Sequence, residues 1–228
     1  MKKKLWYKNN DTLTGYMFLT PALLILGLFL FIPTMMTLYY SLTDYYMLTP
    51  DLTAFIGLDN FKALLQDKLF LKSIGNIFKF VLFIMPIQVG TALFLALLVN
   101  NKARGTIFYK IAFFSPVVMS LVVVSVLWLY LLNPADGLIN VIFEAIGFNP
   151  QPLLTSPKQA MYVIILISAW QGAGYQMLIF LAGLQNIPAE VYEASKIDGA
   201  TKWEQFTNIT LPMLKPTSLM ILTTTLID

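Results

Sequence analysis

The side chains best suited to chemistry in this 228-residue chain gather in two places. One is a polar-aromatic patch, Trp170, Gln171, Tyr175 and Gln176, inside an otherwise apolar run. On a helix, Trp170 and Gly174 share a face four residues apart, with Gln171 and Tyr175 one step round. Amides and rings of this kind suit non-covalent recognition, or a contact between packed helices. The other place is the charged segment 187–212, which carries Glu190, Glu193, Asp198 and Glu204 among lysines. Neither suits catalysis. The chain has no His and no Cys, which excludes Cys/His metal sites, disulfides and His-based acid–base work. Gly172-Ala173-Gly174 lacks the Lys, the Ser/Thr and the preceding strand of a phosphate loop. No catalytic residue, metal or cofactor is assigned, and no nucleic-acid partner is expected. Any ATP used must be bound by another chain.

The elements that hold these residues are membrane helices. Hydrophobic residues make up 57% of the chain and charged ones 12%, against about 25% charged in soluble domains. The gaps between charges set the spans. No charge lies at positions 12–43, 80–101, 111–135 or 159–189. Crossing a hydrocarbon core of about 30 Å takes roughly 20 helical residues. The pattern predicts an all-α polytopic transmembrane bundle, a single domain over 1–228. Four full spans are expected near 16–41, 80–100, 111–133 and 160–184. A fifth run starts near 214, but only positions 216–227 separate Lys215 from Asp228, so it reads as a span cut short. The first run is too long, and too bulky at its end, for a cleaved signal, so it is expected to remain as an anchor. Pro21, Gly27, Pro33, Pro86, Gly90, Pro116, Gly172 and Gly174 interrupt the spans and predict kinks or a moving path. No Asp, Glu, Lys, Arg or His falls inside the four spans, which argues against ion-coupled transport and a membrane enzyme.

Alternating spans divide the loops into two sets. The N-terminus, 101–110 and 185–215 hold ten basic residues, whereas 42–79 and 134–159 hold five. The richer set is expected to be cytoplasmic. Two short amphipathic helices are expected on the outer side. One follows an Asp59 cap at 58–65. The other covers 137–143 and closes at Gly147.

Segment 187–212 predicts two short helices around a turn. Pro188 suits a first helical position, Glu190 and Glu193 favour a helix start, and Gly199 suits a left-handed helix end. Thr201-Lys202-Trp203-Glu204 reads as a capping box. Trp203, Phe206 and Ile209 give the second helix an apolar face, and Pro212 is expected to end the unit. One side could pack on the bundle, leaving Glu193 and Asp198 to meet a partner.

The spacing Glu193-Ala194-Ser195-x-x-x-Gly199-x(9)-Ile209-x-Leu211-Pro212 resembles the cytoplasmic "EAA" loop of permease subunits of bacterial ATP-binding-cassette importers. The wider string from Ile187-Pro188 to Gly199-Ala200 is similar to the maltose-type and lactose-type carbohydrate branch. Weaker likeness runs through Thr20-Pro21-Ala22, Gly57-Leu58-Asp59-Asn60-Phe61, Gly137-Leu138-Ile139-Asn140 and Phe180-Leu181-Ala182-Gly183-Leu184-Gln185. Ser195 departs from the pattern, standing where the family usually has its second Ala. The resemblance implies a multi-pass protein of the bacterial cytoplasmic membrane, with its N-terminus cytoplasmic. Its implied partners are the lipid bilayer, an ATPase dimer, a second permease subunit and an extracellular solute-binding protein that delivers a sugar. It implies that Glu193, Ala194, Ser195, Asp198, Gly199, Leu211 and Pro212 meet the ATPase, Glu193 as the polar anchor and Gly199 for the turn. In that setting Trp170, Gln171, Tyr175 and Gln176 are the candidate sugar path. A permease for another solute, such as glycerol phosphate, or a scaffold with a borrowed docking loop, are the alternatives. Such permeases usually have six or more spans.

Overall fold

A computed structural model describes residues 2–100 and 105–227, with side chains from Thr12 onward except at Leu52. The basic groups expected at Lys2, Lys3, Lys4, Lys8, Lys102 and Arg104, and the last residue Asp228, lie outside what is described. Among the described residues every regular element is helical, as composition predicts. The chain divides into two compact units, Met1–Ile74 and Gly75–Asp228.

In the first unit, α1 (Lys2–Leu26) continues through a π-helical turn, Gly27–Phe31, into α2 (Ile32–Ser41). Pro33 explains the widened turn. It has no N–H to donate, and its ring crowds the carbonyl four residues back. The N–H of Ile32 therefore reaches five residues back to the Gly27 carbonyl, and the helix goes on instead of ending. Thr12–Ser41 is long and apolar enough to cross a membrane. None of residues 12–39 is buried, so the stretch shows apolar surface all round, a state that lipid satisfies and water does not.

The helix α3 (Asp59–Gln66) forms where expected, but Asp59 does not cap it. Asp59 lies inside the first turn and pairs with Lys62 at 2.7 Å. The Asn60 amide does the anchoring, donating to the Ser41 and Thr43 carbonyls at 3.0 Å each. The capping carboxylate in this region is that of Asp67, which accepts from the Leu69 N–H at 2.7 Å.

Asp67 opens α4 (Lys68–Val99), which starts twelve residues before the expected 80. Its 32 residues extend about 48 Å at 1.5 Å each, well beyond a hydrocarbon core. Lys79 therefore marks where the apolar part begins, not where the helix begins. Pro86 and Gly90 leave α4 unbroken.

The expected third span is two helices. In the second unit α5 (Thr106–Val118) and α6 (Leu121–Leu131) meet at 98°. Met119 and Ser120 are extended between them. Pro116 removes the N–H that would serve the Ala112 carbonyl, and the Ser115 hydroxyl donates to that carbonyl instead, at 3.0 Å. The helix ends within two residues of the proline. A short element, α7 (Leu138–Ala145), is closed by Gly147 in the left-handed region, φ +86°. Buried Asn140 ties it to the following loop, accepting from the Gln151 N–H at 2.9 Å and donating to the Gln151 carbonyl at 3.0 Å.

The centre of this unit is α8 (Ala160–Gln185), a continuous helix. Gly172 and Gly174 do not interrupt it; they are where neighbours press closest. A Cβ on Gly174 would stand 2.1 Å from the Phe113 carbonyl oxygen of α5, and one on Gly172 would stand 2.3 Å from Gln88 Nε2 of α4. Small residues bring membrane helices to backbone contact in this way. After α8 come α9 (Ala189–Ile197), α10 (Lys202–Gln205), a π-helical turn at Phe206–Thr210, α11 (Leu211–Met213) and α12 (Lys215–Ile227). Ala92, Ala96 and Val99 of α4, Met177, Phe180, Leu181 and Leu184 of α8, and Leu214 and Ile221 build the main core.

Candidate functional site

A cavity of about 580 Å³ opens beside the middle of α8. Gln171, Tyr175 and Gln176 line it, as their grouping in sequence suggested. So do Gln88 of α4, Ser168, and Thr224 and Thr225 of α12. Its remaining walls are apolar or glycine, and none of its lining residues is charged. Gln88 is 8% exposed, and the missing side chain of Gly172 makes room for its amide. Gln176 is 4% exposed and donates through Nε2 to Thr225 Oγ1 at 2.6 Å.

Trp170 is not part of this lining. Its ring stands edge-on to Trp128 at 5.5 Å and 82°. Trp128 borders a second space of about 370 Å³, which shares Leu121, Ser168 and Gln171 with the first. Sequence reasoning missed Gln88 and Thr225. Gln88 carried a signal, as the one glutamine in the expected span 80–100.

At the C-terminal end of α8 the chain leaves through Ile187 and forms a hairpin. Pro188 stands just before α9, not in its first turn. The turn closes as the glycine predicts. Gly199 has φ +81°. Its N–H bonds the Lys196 carbonyl at 3.1 Å, and the Ala200 N–H bonds the Ser195 carbonyl at 2.9 Å, the paired closure of a left-handed helix end. The capping box opens α10. Thr201 Oγ1 accepts from the Glu204 N–H at 3.3 Å, and Glu204 accepts from the Thr201 N–H at 2.7 Å. The Thr201 hydroxyl also donates to the carboxylate, at 2.8 Å, and donation from the Thr201 backbone and hydroxyl holds the Glu204 carboxyl below its ordinary pKa.

Pro212 does not end the unit. Helical backbone runs from Lys202 through Met213, and Leu211 donates five residues back to the Phe206 carbonyl. This is the device seen before Pro33: the residue ahead of the proline makes a π-type bond and the helix continues. Of the expected apolar face, Phe206 and Ile209 are half-buried but Trp203 is exposed, its ring 5.7 Å from that of Phe206.

The residues expected to meet a partner divide into two groups. Glu193, Ala194, Asp198, Gly199, Leu211 and Pro212 are exposed. Ser195 is half-buried and faces the second arm. Its hydroxyl donates to the Tyr192 carbonyl at 2.8 Å and accepts from Gln205 Nε2 at 2.8 Å. The Tyr192 and Thr210 hydroxyls lie 2.9 Å apart, and Thr210 donates on to the Gln205 carbonyl at 3.3 Å. The serine at the departure from the family pattern is thus a tie between the two arms. Ser195→Ala is expected to remove that tie, worth about 1 kcal/mol. Hydrogen exchange of the α9 amides should then quicken roughly fivefold; unchanged protection would show that the tie holds nothing.

Comparison with known proteins places this geometry in context. Residues 70–228 match the family described as "Binding-protein-dependent transport system inner membrane component". The chain is 35% identical over 212 residues to the lactose transport system permease protein LacF of Rhizobium radiobacter, covering 92% of this chain and 70% of that protein. It is also 35% identical over 214 residues to the sn-glycerol-3-phosphate transport system permease protein UgpA of Yersinia enterocolitica, covering 93% and 71%. Its fold is similar to a chain in the crystal structure of a bacterial alginate ABC transporter in complex with alginate pentasaccharide-bound periplasmic protein. There the TM-score is 0.77 at 27% identity, over 96% of this chain and 73% of that one.

Proposed function

Since this chain belongs to the family of binding-protein-dependent transport system inner membrane components, we propose that the hairpin 187–212 drives the cavity beside α8 in an ATP-powered carbohydrate importer. The chain is a multi-pass membrane permease subunit and not an enzyme. It works with a separate ATPase, a second permease subunit and a binding protein that presents the solute, in line with its likeness to LacF and to the alginate importer. In this reading the N-terminus, 101–110 and 185–215 face the cytoplasm, in keeping with their excess of basic residues.

The observation that carries the mechanism is the continuity of α8. The same helix lines the cavity with Gln171, Tyr175 and Gln176 and ends at the hairpin. Gln176 and Gln185 are nine residues apart, about 14 Å along the axis. No proline and no break in the helix lies between them. The hairpin is closed on itself by the Gly199 turn, the capping box and the Ser195–Gln205 tie. Movement of an ATPase bound at Glu193, Ala194, Asp198, Gly199, Leu211 and Pro212 would reach the cavity as motion of a rigid rod. Such coupling needs an element with two positions that both sites bias, and α8 is the candidate.

Two measurements test this reading. The tagged chain should co-purify with an ATP-binding subunit and a second permease. The reconstituted assembly should take up binding-protein-delivered sugar only with ATP. Uptake driven by an ion gradient without ATP would overturn it.

A further inference from the structure

Apolar side chains crowd a segment that lies beyond the first span. Between the end of α2 at Ser41 and the start of α3 at Asp59, Met47 is 82% exposed, Leu48 78% and Phe55 72%. Tyr46 and Leu58 are exposed as well. Such a concentration of exposed apolar surface marks a place of contact. The segment is also folded. The Asp44 N–H bonds the Ala54 carbonyl at 2.9 Å, and the Ile56 and Gly57 N–H groups both bond the Leu42 carbonyl at 3.0 Å. Within the loop, the Thr49 N–H bonds the Tyr46 carbonyl at 3.0 Å, and the Thr53 N–H and hydroxyl reach the Pro50 carbonyl at 3.2 and 2.6 Å.

These bonds have two consequences. The return arm is pinned at Leu42, so the loop stays at the level where the span Thr12–Ser41 ends. The N–H groups of Asp44, Thr49, Thr53, Ile56 and Gly57 have partners inside the segment, and Pro50 has none to satisfy. Backbone of this kind can leave bulk water at little cost. Tyrosines flank the same helix end. Tyr45 packs on Tyr40 with ring centroids 4.2 Å apart, and Tyr40 meets Tyr39 at 5.6 Å. Amphipathic rings of this kind settle at the level of the lipid headgroups.

We propose that 44–58 is a lipid-inserted foot of the first span, in which Met47, Leu48 and Phe55 enter the boundary between headgroups and acyl chains beside the end of α2. Irregular backbone stays out of the hydrocarbon itself, which places the foot at that boundary. Apolar area drives the insertion, and charge does not. The only charged residues of 42–58 are Asp44 and Asp51, with no Lys or Arg to draw the segment to anionic lipid. Anchors at this level set the depth and tilt of a membrane helix. The inference uses the membrane location of the chain and not the solute it carries.

The chain has no cysteine, so single nitroxide labels can be placed on Leu48→Cys, on Phe55→Cys and on Asp59→Cys. Asp59 is exposed and paired with Lys62 and serves as the water-facing control. The complete transporter, its other subunits free of cysteine, is reconstituted in vesicles of phosphatidylcholine, or of equal parts phosphatidylcholine and phosphatidylglycerol. Accessibility of each label to oxygen, which prefers lipid, and to a nickel chelate, which prefers water, then gives its depth. Labels at positions 48 and 55 should favour oxygen and lie about 5–10 Å into the interface, the depth of interfacial helices. The label at position 59 should favour nickel. Depths should be the same in both lipid mixtures, and unchanged when binding protein is added. Nickel access at positions 48 and 55 would overturn the inference by leaving the loop in water. Shielding from both reagents, present from the start or produced by the binding protein, would overturn it by giving the patch to a protein. Insertion only in the anionic vesicles would overturn the assignment to apolar contact.

Discussion

Replacing Gly174 by valine is expected to remove the folded protein from the membrane. A side chain there meets backbone, which cannot move aside as a flexible side chain can. The nearest atoms to an added Cβ are the Phe113 carbonyl oxygen at 2.1 Å, its carbon at 3.0 Å and the Phe114 Cα at 3.1 Å. To admit valine, α5 must withdraw from α8 along their contact. Overpacking a close-packed site costs about 1–3 kcal/mol when side chains can adjust; with backbone on one side, about 3 kcal/mol or more is expected. Gly90→Ala is the control. A Cβ at Gly90 has nothing within 4 Å, and alanine is favoured over glycine in a helix interior by about 1 kcal/mol. Membrane yield and thermal unfolding of the detergent-solubilised protein would separate the cases. Gly174→Ala should fall between valine and wild type. If Gly174→Val reached the wild-type midpoint, the close approach of α5 and α8 would be disproved.

That contact also shows where the sequence stops being informative. Charge gaps located the spans, because an ion in hydrocarbon is costly enough to exclude Lys and Asp wherever the helix was. They could not locate the start of α4, since a helix projecting past the membrane edge tolerates Lys68, Lys72 and Lys79. Nor could they show the 98° bend, because Met119 and Ser120 carry no local signal and Pro116 is as compatible with a kink as with a break. Glycines were ambiguous in the same way. Gly199 was legible because its conformation is decided by the local turn. Gly172 and Gly174 were not, since only the partner helix reveals why a side chain is missing. In the cavity, spacing along one helix gathered Gln171, Tyr175 and Gln176. It could not supply Thr225, 49 positions from Gln176, or place Trp170 against Trp128. Pro212 misled because a proline was read as a stop, where a π-type bond one residue earlier lets the helix continue.

The hairpin allows a second strong expectation, which its helix positions and hydrogen bonds centre on one carboxylate. Four acidic residues lie in 187–212: Glu190, Glu193, Asp198 and Glu204. Glu204 is committed to the capping box through the Thr201 N–H and hydroxyl. Asp198 ends α9 at the turn, where the backbone sets its position. Glu193 lies inside α9 and is exposed, and its carboxylate makes no hydrogen bond or ion pair among the described residues. A carboxylate that does nothing for its own hairpin is free for a partner, and under the proposed function that partner is the ATPase. Glu193→Lys is therefore expected to uncouple the transporter. Reversing a charge at such a contact should lower ATP-driven uptake by roughly thirtyfold or more, the scale seen when one member of an interfacial charge pair is lost. The ATPase would still hydrolyse ATP, without moving solute. Hydrogen exchange across α9 and α10 should match wild type, because Glu193 supports neither the Gly199 turn nor the Ser195–Gln205 tie. Glu190→Lys, in the first turn of α9, should mainly weaken the helix start by the dipole effect, a few tenths of a kcal/mol to about 1, with little loss of coupling. Glu193→Lys with full uptake, or equal losses from both substitutions, would mean that the force passes through another residue of the hairpin.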